Sequence, residues 1–144
     1  MTDQIIFNII VFFVISGFLL DRILSWLNSR NWKDKVPDEM KDVYDDEKYR
    51  QAKQYDLAHS NFALWSAIYG LVLILCMLFF NGFARLDELI RLWTDHTYYT
   101  PLIFFGVLVF ASDLLTLPFS IYSTFVIETK YGFNKTGPLL FVVD

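Results

Sequence analysis

Hydrophobic positions along the chain gather into three long uncharged runs separated by polar stretches. The first, Ile5 to Leu20, reads IIFNIIVFFVISGFLL and resumes as Ile23-Leu24-Ser25-Trp26-Leu27 after Asp21-Arg22. Together these cover the roughly 20 residues that a bilayer core of about 30 Å requires. A cleaved signal peptide would carry a basic start and a small-x-small cleavage site, and MTDQ has no base. An uncleaved spanning helix over 5–27 is therefore expected, with Asp21 and Arg22 snorkelling near its end. The second run, Phe62 to Phe83, is uncharged throughout, with Trp65 and Tyr69 near one end where amphipathic rings suit the membrane interface. The third, Pro101 to Ile127, opens on a proline tolerated in a first helical turn. At ~1.5 Å per residue it reaches about 40 Å, so tilt or a kink at Pro118 is expected.

The polar stretch Asn28 to Asn61 separates the first two runs. Asp45-Asp46-Glu47 precede Lys48, Arg50 and Lys53, the order that complements a helix dipole, and no Gly or Pro interrupts Asp45 to Tyr69. This predicts one continuous helix that begins in water and enters the membrane near Phe62. Tyr44, Tyr49, Ala52, Tyr55 and Ala58/His59 approximate one face of it. Between the second and third runs, Ala84 to Thr100 places Leu86, Leu89, Ile90 and Trp93 at helical spacing with Arg85, Asp87, Glu88 and Arg91 opposite. That pattern predicts a helix lying in the interface. The fold class expected is all-α integral membrane: about three transmembrane helices, a long helical extension and an interfacial helix.

Composition narrows the functional classes. With 55% hydrophobic residues among 144, a soluble monomer is excluded in practice. Twelve bases against 16 acids leave no electrostatic footprint for nucleic acid. Cys76 is the only cysteine, which excludes an internal disulfide and a cysteine zinc ribbon. The Lys and Arg residues also orient the chain. Those beside the first loop and the C-terminus number nine, seven in 28–61 plus Lys130 and Lys135, against two, Arg85 and Arg91, after the second span. The positive-inside rule then expects the N-terminus outside, with residues 28–61 and the C-terminus cytoplasmic.

Candidate chemistry is sparse. There is no His-Glu-x-x-His, Gly-x-Ser-x-Gly, Walker loop or dinucleotide fingerprint. Asp56 and His59 share a helical face, but a metal site usually needs three or four protein ligands. Asp113 lies mid-span, where a carboxylate is a functional-site hypothesis by default; the plainer alternative is a carboxyl hydrogen-bonded to a neighbouring helix for packing. After Pro118 the chain becomes rich in β-branched and aromatic residues and then turns through Gly132-Phe133-Asn134. Gly132 or Asn134 could supply a positive φ for an abrupt redirection. Tyr122, Thr124 and Glu128 are near four-spaced and could converge on a protein interior, while a simple interfacial helix end fits the spacing equally well.

These residues also carry a resemblance. Leu117-Pro118, Ile121-Tyr122, Thr124-Phe125-Val126-Ile127-Glu128 and Gly132-Phe133-Asn134, preceded in order by Val36-Pro37, Tyr55-Asp56, Phe62 and Trp65, resemble the N-terminal membrane region of the CaaX prenyl proteases. That family comprises integral-membrane zinc metalloproteases that process farnesylated a-factor and prelamin A. The resemblance implies a seven-helix membrane barrel around a water-filled chamber. It also implies a zinc site held by His-Glu-x-x-His and a later Glu, none of which lies in this chain. On that basis the chain is expected to be an N-terminal membrane region that is inactive alone. Tyr122, Thr124, Glu128, Gly132, Phe133 and Asn134 would form a chamber or structural motif, with Glu128 and Asn134 bracing the chamber wall near the cytoplasmic side; Asp113 matches no part of the family pattern. Implied partners are the lipid bilayer, the remainder of the protease chain and a peptide or prenylated protein substrate. The implied location is the bacterial inner membrane or the eukaryotic endoplasmic reticulum and inner nuclear membrane. Two rivals stand beside this reading: a non-enzymatic membrane accessory or assembly protein, and a small proton or ion transporter using Asp113.

Overall fold

In the computed structural model, which describes residues 2–30, 45–134 and 137, every regular element is helical. Helix α1 spans Thr2–Ser29, α2 Asp46–Phe79, α3 Gly82–Arg91 and α4 Tyr99–Tyr122, and α4 runs on into a π-helix over Ser123–Glu128. Three of these helical stretches, Thr2–Ser29, Glu47–Phe79 and Tyr99–Glu128, are long and apolar enough to cross a membrane, with mean hydropathies of 2.1, 2.4 and 2.1 over their best windows. Tyr44, Val36 and Pro37, named above, lie outside the described residues.

The chain divides into two units: Met1–Leu19 with Ser66–Pro118, and Leu20–Trp65 with Phe119–Asp144. In the first unit, α1 meets α2 through an edge-to-face pair of Phe7 and Phe79, with ring centroids 5.4 Å apart. Helix α2 ends at Phe79, short of the expected Phe83. Asn81 sets that boundary: it adopts a left-handed conformation (φ 54°) and serves as the N-cap of α3. Asn tolerates this region better than other side chains do, so the uncharged run bends there without a glycine in the strained position. The next residue, Gly82, lies so close to Met77 that an added Cβ would meet its Sδ at 2.5 Å.

Helix α3, Gly82–Arg91, is shorter than the expected 84–100 segment, and its apolar positions divide between two sides. Ile90 is buried and Leu86 half-buried, whereas Leu89 and Trp93 are 60% and 89% exposed. The inward face is Phe83, Leu86 and Ile90, an i, i+3, i+7 set. Arg91 pairs with Asp87 and Asp95 at 2.7 and 2.9 Å on the outside, and those carboxylates push its guanidinium pKa up. The chain closes into α4 through Thr100, buried, whose hydroxyl donates to the Thr94 carbonyl at 3.1 Å.

In the second unit, α1 continues past Asp21 and Arg22, which pair with each other inside the helix rather than at its end. The Arg30 guanidinium closes this end over the Trp26 ring, 4.7 Å from its centroid. The first turns of α2 lie in the same unit and form the unbroken helix expected from Asp45 onward. Tyr49, Ala52, Tyr55 and Ala58 are half-buried as the periodicity requires.

Candidate functional site

The first turns of α2 and the segment from Phe119 to Asn134 pack together in the second unit, and this is where most of the candidate residues meet. The packing begins where α2 becomes apolar. The Phe62 ring stacks on Tyr122 at 4.9 Å and an interplanar angle of 29°, and lies 6.0 Å from Phe119. Aromatic pairs of this kind are worth about 0.5–1.5 kcal/mol beyond their burial. Tyr122 is thereby fixed at the entrance to the π-helix.

Ser123 to Glu128 then widen into π geometry, an uncommon form that occurs mostly as single turns and often at functional sites. The broader turn changes which residues line up, so the near four-spacing of Tyr122, Thr124 and Glu128 no longer describes one α-helical face. Ile127 is the buried anchor of the segment, 7% exposed. The hydroxyl of Thr129 reaches back to the Thr124 carbonyl at 3.4 Å, an i−5 step that follows the π register, and the Asn134 amide donates to that hydroxyl at 2.9 Å.

Glu128 ends the helix through its carbonyl, which accepts the N–H groups of Phe133 and Asn134 at 2.9 and 3.2 Å. Such a closure needs a left-handed residue, and Gly132 supplies it with φ 74°. Of the two positions considered above, Gly132 carries the positive φ; Asn134 acts through its side chain instead. The redirected chain lays Tyr131 and Phe133 against Tyr55, with ring centroids 6.0 and 4.7 Å away, while His59 covers another side of the phenol at 5.6 Å. Gln51, one turn before Tyr55, donates its side-chain amide to the Tyr131 carbonyl at 2.5 Å. Burial raises the Tyr55 phenol pKa above its ordinary value, and the negative charges of Glu128 and Asp56 raise it further.

The structure therefore gathers Tyr55, His59, Tyr122, Thr124, Glu128, Gly132, Phe133 and Asn134 in one unit. Asp113 belongs to the other. Gln51 and Phe119 are participants that sequence reasoning missed. Gln51 could have been found from its i, i+4 relation to Tyr55, but the partner carbonyl, 80 positions later, has no local signature. Chemically the arrangement is a brace: aromatic rings, side-chain to main-chain bonds from Gln51 and Thr129, and a capped helix end. Among the described residues no three His, Cys, Asp or Glu side chains come together as metal ligands. The donors among the described residues do not fit a zinc site.

Comparison with known proteins shows the family. The family model described as "CAAX prenyl protease N-terminal, five membrane helices" matches residues 25–144. The chain belongs to that family. It is 30% identical to the CAAX prenyl protease 1 homologs of Homo sapiens and Mus musculus, over 99% of this chain and 32% of each relative. It is 29% identical to CAAX prenyl protease 1 of Saccharomyces cerevisiae, over 91% of this chain and 32% of that protein. The crystal structure of S. mikatae Ste24p superposes with a TM-score of 0.81 at 31% identity, covering 96% of this chain and 34% of that one. The chain thus spans about a third of the length of the curated relatives it matches. The CAAX prenyl protease family match takes in the whole of α2, α4 and the Ser123–Asn134 brace, and only the end of α1.

Proposed function

We propose that this chain forms the N-terminal membrane portion of a zinc metalloendopeptidase that cleaves prenylated CaaX C-termini or membrane proteins. The observation that carries the reading is the folding of Tyr122–Asn134 onto the first turns of α2 in a chain of this family. Tyr122, Thr124, Glu128, Gly132, Phe133 and Asn134 serve as structural members of the protease wall, not as catalysts. The His-Glu-x-x-His ligands and the zinc they hold come from the remainder of the protease chain, and the metal would activate water for peptide hydrolysis. The partners are then the lipid bilayer, that remainder and a prenylated substrate. The location is an inner or endoplasmic-reticulum membrane, with the N-terminus outside and residues 28–61 in the cytoplasm.

The test compares two proteins in the same membrane preparation, this 144-residue chain and the chain joined to a downstream segment carrying His-Glu-x-x-His, on a farnesylated CaaX peptide. Cleavage is expected only from the joined protein and is expected to disappear with a chelator. Cleavage by the short chain alone, or chelator-insensitive cleavage by the joined protein, would sink the proposal.

A further inference from the structure

Asp113 is the sole charged residue from Tyr99 through Ile127, and it sits near the midpoint of the candidate span Tyr99–Glu128. At ~1.5 Å per residue it lies about 21 Å along the helix from Tyr99, deep in a bilayer core. Carboxylates at such depth face protein or water rather than lipid.

Which side of α4 carries it is decided within the first unit. Phe104, Leu108 and Ala111 are half-buried, and at about 100° per residue they centre on the side of the helix opposite Asp113. On Asp113's own side lie Leu102, Gly106, Phe110 and Leu117. The three large residues are 70%, 71% and 45% exposed, and a Cβ added at Gly106 would meet nothing within 4 Å. The helix does not satisfy the carboxylate itself. One turn on, the Thr116 hydroxyl donates to the main-chain carbonyls of Ser112 and Asp113 at 3.0 and 3.2 Å. Among the described residues, no side-chain donor reaches the Asp113 carboxylate.

Lipid would suit the exposed leucines and phenylalanine but not the acid between them. We propose that the Gly106–Asp113 side of α4 seats a further membrane helix, outside the described residues, that presents a side-chain N–H donor to Asp113. The occupant is a helix rather than water because the stripe is otherwise large and apolar, and because Gly106 lets a second backbone approach closely. Further helices are at hand: the family model describes five membrane helices, and within the residues it matches the described structure supplies two candidate spans, Glu47–Phe79 and Tyr99–Glu128. A mid-membrane hydrogen bond to the acid then fixes the register of that helix against α4.

The experiment uses the full-length protein. Thermal unfolding midpoints are measured in detergent for Asp113→Leu, Asp113→Asn and Gly106→Leu. Separately, Asp113→Cys in a Cys76→Ser background is challenged with a membrane-impermeant maleimide. Asp113→Leu and Gly106→Leu are expected to lower the midpoint by several degrees and Asp113→Asn by less, and the thiol is expected to react far more slowly in the folded protein than after SDS. Unchanged or raised midpoints for both leucine variants would put the stripe in lipid and overturn the proposal. Prompt labelling of the folded protein would put it in a water-lined cavity and overturn it equally. Should Asp113→Leu fail to accumulate, the Gly106→Leu midpoint and the thiol reaction decide. Neither readout involves peptide cleavage, so its outcome is separate from that of the proposed activity.

Discussion

Gly132 shows how much of this protein rests on single backbone positions. Its φ of 74° lies where a side chain costs about 1–2 kcal/mol, and the space a Cβ would take is already 3.4 Å from the Gln51 amide nitrogen. Gly132→Ala is therefore expected to weaken the brace through backbone strain, since the added Cβ would only touch Gln51 at ordinary contact distance. Hydrogen exchange at the Phe133 and Asn134 amides should accelerate while the amides of α4 above Pro118 keep their protection; unaltered exchange at both would count against the capped ending. The glycine's role was half legible in the chain. Gly-Phe-Asn after a helix announces a left-handed residue, but choosing Gly132 over Asn134 depends on which carbonyl the following amides reach, and that is a matter of three dimensions.

At the scale of elements, long-range order was easier to anticipate than its punctuation. Uncharged runs and the lack of Gly or Pro after Asp45 are local properties, and they were enough to anticipate α1, α4 and the unbroken start of α2. The corner between α2 and α3 was not, because Phe80-Asn81-Gly82-Phe83 contains nothing charged, and Asn81 bends the chain by a conformation rather than a composition. The split of α3, with Ile90 inward and Leu89 and Trp93 outward, was likewise hidden, since periodicity shows that an apolar side exists without saying which part has a neighbour. The corner offers its own check. An alanine methyl at position 82 would sit 2.5 Å from the Met77 sulfur, so Gly82→Ala is expected to lower the thermal midpoint. Pairing it with Met77→Ala should restore part of the loss, because the two shortest approaches, 2.5 and 3.1 Å, are to that side chain, while the Met77 Cα stays at 3.2 Å. A double variant no better than the single one would show that the backbone, not Met77, is crowded.

For the whole molecule, the distribution of bases outweighs their number. The acidic total of −4 says nothing of direction, whereas nine bases on one side of the three spans against two on the other predict it. A reporter fused after Asp144 in the full-length reading frame's native membrane is expected to be active only in its cytoplasmic form, and a reporter placed in 85–98 only in its external form. The reverse pattern would invert the proposed topology while leaving family membership untouched. The three candidate spans were legible from the chain, and so was family membership, through the motif residues from Tyr55 to Asn134. Their mutual contacts were not, since α2 and the tail that meets it are separated by most of the sequence.

The π-helix at Ser123–Glu128 gives the tail a dependence on count rather than on chemistry. A π turn holds one residue more than the α turn it replaces, so everything beyond Glu128 is rotated by about 100° from where an uninterrupted α-helix would carry it. The aim of Tyr131 and Phe133 toward Tyr55 depends on that extra residue together with the Gly132 turn. Loss of a single codon between Tyr122 and Glu128 would leave the rest of the motif in place and point it elsewhere, whereas many substitutions in the same stretch would leave the aim alone. Variation in this segment should thus be tolerant of spelling and intolerant of length.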